Sequence, residues 1–100
     1  MNAKPVCIID WDGVETWVLD GKYHREDGPA IKLPSGYKAW YFNGGWHRTD
    51  GPAREWANGE TEWWLNNKCQ YPEIAIHDPK LQAKYPKLIE SMMIYLVHSS

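Results

Sequence analysis

The sequence predicts a mainly β protein with a C-terminal helical part (α+β): an antiparallel meander of three repeated hairpins over residues 6–69, capped by one or two helices over residues 72–98. Three observations predict it. Trp17, Trp40 and Trp63 recur 23 residues apart, as do Gly13, Gly36 and Gly59, and Leu19, Phe42 and Leu65. Each Gly closes a three-residue turn between two runs of strand-forming residues. After Asn67 the repeat gives way to Asp78-Pro79 and to apolar residues at helical spacing.

The first hairpin runs Val6 to Asp10, turns at Trp11-Asp12-Gly13 and returns over Val14 to Leu19. The second runs Pro29 to Leu33, Pro34-Ser35-Gly36 and Tyr37 to Phe42; the third Pro52 to Trp56, Ala57-Asn58-Gly59 and Glu60 to Leu65. A three-residue loop ending in Gly favours a type I turn with a glycine bulge, and that sets the register. Leu33 then faces Tyr37, Arg54 faces Glu62, and a small residue faces each indole: Cys7 with Trp17, Ala30 with Trp40, Ala53 with Trp63. Side chains alternate between faces. One face therefore carries the stripe Trp17/Leu19, Trp40/Phe42, Trp63/Leu65, and the other carries Tyr37, Tyr41, Glu62 and Trp64.

Between hairpins lies a link present twice, His24-Arg25-Glu26-Asp27-Gly28-Pro29-Ala30 and His47-Arg48-Thr49-Asp50-Gly51-Pro52-Ala53. Asp27 and Asp50 are expected to cap turns through backbone N–H groups, and each His to form a hydrogen-bonded structural pair with its Asp. The third link is replaced by Gln70-Tyr71-Pro72-Glu73. Asp78 then suits an N-cap and Pro79 the first helical position. Leu81, Tyr85, Leu88, Met92 and Leu96 keep helical spacing, and Pro86 divides the segment into two helices or kinks it. This amphipathic segment covers the stripe as a cap, or its apolar residues Leu88, Met92, Met93 and Leu96 make a homodimer.

One domain of 100 residues has a thin core, and the 7 Trp, 6 Tyr and 1 Phe supply much of its apolar area. A net charge of -2 provides no field that would draw in nucleic acid, and Lys22, Arg25, Lys32, Lys38 and Arg48 are the sole basic stripe. Cys7 and Cys69 form no Cys-x-x-Cys motif and are read as reduced, in a cytoplasmic protein. The N-terminal residues do not read as a signal peptide, and the longest apolar run is too short to insert in a membrane.

The motif H-R-x-D-G-P-A followed by G-x-x-x-W-Y-x-N-G resembles MORN-type repeats, in the variant found in tailed-phage and giant-virus proteins. The resemblance spans residues 7 to about 68. It implies an elongated single-layer meander used as an interaction surface, with a viral or prophage origin and no enzymatic activity. D-G-P-A stands where that family usually has G-x-G, so its lipid binding does not carry over.

His24-Arg25-Glu26-Asp27 has neither the spacing nor the companion motifs of a kinase catalytic loop. A metal-dependent enzyme would have to use His24, Asp27, His47 and Asp50; with Trp17, Trp40 and Trp63 these are read instead as structural repeat positions, and no metal or cofactor is expected. Binding is expected where the copies differ, at Tyr37, Tyr41, Trp46, Trp56 and Trp64, because Tyr and Trp anchor protein interfaces. The expected role is a protein-binding module, on viral origin an inhibitor of a host defence complex; self-association as an assembly component is the alternative.

Overall fold

The computed structural model describes residues 3–99, so the first two residues of the N-terminal segment lie outside it. The described chain is a slab of 41 × 36 × 17 Å, and the short dimension is that of one sheet with its side chains. The strands are β1 (Val6–Ile9), β2 (Glu15–Leu19), β3 (Lys22–Tyr23), β4 (Ile31–Lys32), β5 (Lys38–Ala39), β6 (Tyr41–Phe42), β7 (Gly45–Trp46), β8 (Arg54–Glu55), β9 (Thr61–Leu65) and β10 (Lys68–Gln70). Three helical segments follow: α1 (Pro72–Ala75), α2 (Pro79–Lys84) and α3 (Pro86–Ser99). The class is α+β, and the main sheet runs β1-β2-β4-β5-β8-β9-β10 with every pairing antiparallel.

The three predicted hairpins are β1/β2, β4/β5 and β8/β9, in the predicted register. Cys7 pairs with Trp17 and Arg54 with Glu62; Leu33 N–H donates to the Tyr37 carbonyl at 2.9 Å. Gly13, Gly36 and Gly59 have φ of 84°, 101° and 93°, the left-handed conformation that the turn requires. Ala30 and Ala53, the small residues opposite Trp40 and Trp63, are fully buried.

A second set of hairpins is present that the sequence reading treats only as exits. At Asp20-Gly21, Asn43-Gly44 and Asn66-Asn67 both residues have positive φ, the signature of a two-residue type I′ turn. These turns pair β2 with β3, β6 with β7, and β9 with β10. Trp17 and Trp40 are the pivots where the chain changes partner. Trp17 N–H donates forward to the Ala30 carbonyl at 2.8 Å, and its own carbonyl accepts from His24 N–H at 3.0 Å; Trp40 does the same with Ala53 and His47 at 2.7 and 3.1 Å.

The helical part begins as predicted: the Asp78 side chain accepts from Lys80 and Leu81 N–H, with Pro79 at the first position. Pro86 divides α2 from α3. The cap, however, covers one repeat only. Leu88, Ile89 and Met92 pack on Trp63, Leu65 and Ala75, while Phe42 on the same stripe stays 40% exposed. Leu88 and Met92 are 1% and 0% exposed. Of the four residues expected at a dimer contact, Leu88 and Met92 thus lie in the chain's own core, and Met93, at 53%, is the exposed member of that set. Among the described residues no helix is long and apolar enough to cross a membrane.

Candidate functional site

The link residues settle into a structural joint, but not through the expected contacts. Asp27 and Asp50 cap no turn; they accept from Arg25 Nε and Arg48 Nε at 2.9 and 2.8 Å. Those guanidiniums lie flat on the repeat indoles, Arg25 at 4.1 Å from the Trp17 ring centre and Arg48 at 3.9 Å from Trp40. Each also donates through Nη1 to a proline carbonyl, Pro29 at 3.3 Å and Pro52 at 3.0 Å. The glycine of Asp-Gly-Pro makes this approach feasible. A Cβ on Gly28 or Gly51 would stand 2.8 or 2.7 Å from the guanidinium carbon.

The histidines reach across repeats rather than to their aspartates. His24 Nδ1 accepts the backbone N–H of Asn43 at 3.0 Å, and His47 Nδ1 that of Asn66 at 2.9 Å. His24 also packs its ring on Phe42, 4.4 Å away. Each His thus ties its own link to the type I′ turn of the next copy. Among the described residues no three His, Cys, Asp or Glu side chains converge as metal ligands would. Cys7 and Cys69 are both free thiols.

Burial, with Lys84 as a second and smaller influence, holds the His47 pKa below its ordinary value of 6.5. The unfolded state then binds more protons than the folded state as pH falls below that value, so stability declines in that direction. The contribution is complete above about pH 6.5 and is lost as pH falls through the folded pKa. A thermal unfolding series from neutral to mildly acidic pH should show Tm falling, with a shallower fall in His47→Gln. An identical slope in both proteins would contradict this account.

The opposite face is where the five predicted binding residues meet. Tyr23, Tyr41, Trp46 and Trp64 form a continuous ladder of rings, with centroid distances of 5.3, 5.9 and 4.7 Å between successive members. Tyr37 and Trp56 form a second pair at 5.3 Å. Arg54 joins the two groups. Its guanidinium lies 4.5 Å from the Trp46 ring and 4.6 Å from Trp56; its Nε donates to the Tyr37 hydroxyl at 3.0 Å and its Nη1 to Glu62 at 2.9 Å. Glu62 also accepts from the Trp64 indole N–H at 3.0 Å. All five predicted residues are half-buried: held in place from beneath, with part of each ring facing solvent.

Desolvation opposes the charge on Arg54, but the bond to Tyr37 and the pairing with Glu62 outweigh it, and its pKa lies above the ordinary value. Burial, reinforced by Tyr37, raises the Tyr41 phenol above its own. The face therefore carries the Arg54 guanidinium, paired with Glu62, among phenols and indoles. Family models, curated proteins and solved structures contain no match to this chain. Function must therefore be argued from the face itself.

Arg54 and Tyr23 belong to this face, and sequence reasoning missed both as site residues. Arg54 was legible as the partner of Glu62, but its place between two indoles depends on how the two sets of hairpins fold against one another. Tyr23 lies on β3, a strand visible only once Asp20-Gly21 is read as a type I′ turn.

Proposed function

We propose that the protein is a non-enzymatic binding module whose partner, a protein, docks on the Tyr41/Trp46/Trp64 ladder around Arg54. One observation carries this reading: six aromatic rings and one arginine are gathered on a single face, and their positions differ between copies while the structural positions do not. Pre-ordered aromatic rings and arginine are the groups that carry most binding energy at protein interfaces, because they bury large area at small entropic cost. The guanidinium N–H groups that Arg54 does not give to Tyr37 and Glu62 suit a partner with carbonyl or carboxylate oxygens near an apolar patch. The resemblance to viral repeat proteins points to a host protein complex as the target, with inhibition as the outcome.

Pull-down from host lysate with mass spectrometry identifies the partner, and titration with that partner tests the face. Trp46→Ala and Trp64→Ala should each weaken binding at least about tenfold while far-ultraviolet circular dichroism stays unchanged. Retained affinity in both variants would remove this face from the account.

A further inference from the structure

Strand β1 is an open edge. Among the described residues no strand pairs with its outer side, and Val6, Ile8 and Ile9 are 61, 50 and 65% exposed. Proteins ordinarily guard such an edge with charge, proline or a covering segment; here Lys4-Pro5 and Asp10 flank β1, but its four residues are apolar and uncovered. The far end of the sheet is guarded: β10 reads Lys68-Cys69-Gln70 and runs directly into the helical segment.

The internal joints show what the outer side of β1 is shaped to accept. There the carbonyls of Ala30 and Ala53 receive the backbone N–H of Trp17 and Trp40 from the preceding hairpin. Cys7 holds the corresponding position one repeat earlier. Asp10 N–H donates inward to the Val14 carbonyl, so by alternation Val6 and Ile8 bond toward β2, while Cys7 and Ile9 turn their N–H and C=O groups outward.

We infer that β1 pairs with β1 of a second copy of the chain, antiparallel and centred on Cys7. The segment Lys4-Pro5-Val6-Cys7-Ile8-Ile9-Asp10 is self-complementary in that register. Cys7 meets Cys7 with both backbone groups, Ile9 N–H meets the Pro5 carbonyl while Pro5 has no N–H to return a bond, Val6 stands opposite Ile8, and each Lys4 stands opposite the Asp10 of the other copy. Trp11, 98% exposed in the adjoining turn, falls opposite Ala3, again an indole facing a small residue. A shift of two residues sets Val6 against Asp10 in one direction and Lys4 against Ile8 in the other, side-chain mismatches that favour the first register. The contact is the same patch on both copies and closes as a dimer rather than growing into a fibre. It extends the sheet at the end remote from Trp64, so the aromatic face stays open.

Sedimentation of the full chain over a concentration series should show a reversible dimer. Lys4→Glu places like charges opposite each other twice and should weaken that dimer about tenfold at low salt. Mild oxidation should cross-link the wild type and Cys69→Ser through Cys7, but not Cys7→Ser, because paired strands bring the two Cα atoms within disulfide range. A monomer throughout the series overturns the inference. So does a dimer equally tight in Lys4→Glu, or one that is lost instead in Met93→Glu on the outer side of α3.

Discussion

Leu88→Ala is expected to lower the stability of the protein by about 2–5 kcal/mol. Leu88 and Met92 are the largest side chains with essentially no exposure, and both lie in the cluster that joins α3 to Trp63 and Leu65. Elsewhere the fully buried apolar residues are the alanines 30, 39 and 53, each of which removes little area from water. The cap is therefore the principal apolar core of a sheet that is otherwise one layer thick. Truncating Leu88 leaves a cavity between a helix and a strand that cannot both close on it. Met93→Ala, at a position 53% exposed on the same helix, should stay within about 0.5 kcal/mol. Denaturant titration of both variants checks the contrast. Equal, small effects would mean that the cap is not part of the cooperative unit.

Arg48→Ala is expected to cost about 2–3 kcal/mol. The ion pairs are not the main reason: the Asp50 and Glu55 side chains are 60% and 37% exposed, and such pairs contribute little in water. The stack on Trp40 and the bond to the Pro52 carbonyl decide the cost, because their loss uncovers an indole and leaves a carbonyl of the link without its donor. Arg48→Lys should recover less than half of it, since an ammonium has neither the plane to lie on the ring nor the fork to reach Asp50 and Pro52 together. Thermal unfolding of the two variants against the wild type measures the difference. Full recovery by lysine would show that charge alone matters at this position.

The third repeat illustrates the same rule by exception. Where Arg25 and Arg48 cover Trp17 and Trp40, the aligned residue is Tyr71, which is exposed, and Trp63 is covered by α3 instead, with Tyr95 edge-on at 5.7 Å. A flat cation and an apolar helix are two solutions to one requirement, the sealing of an indole on an exposed sheet.

The 23-residue spacing, the glycine turns and the pairing of a small residue with each Trp determined the main hairpins and their register by themselves. These are local properties: turn length and residue parity dictate which residues oppose one another, whatever the rest of the chain does. The Asp78-Pro79 helix start and the break at Pro86 were legible for the same reason. The type I′ hairpins were written in Asp20-Gly21 and Asn43-Gly44 but are easily read as mere exits, since the strands beyond them are two residues long. What only the tertiary structure decided is where long side chains end. The guanidinium of Arg48 could have met solvent or Asp50 alone; packing against Trp40 selects the stack. His47 had Asp50 near in sequence, yet the turn of the next repeat brings a backbone N–H closer in space. The joining of Trp46, Trp56 and Tyr37 around Arg54 likewise follows from two sets of hairpins folding into one slab. Contacts between residues distant in sequence are fixed by that packing, which no local spacing encodes.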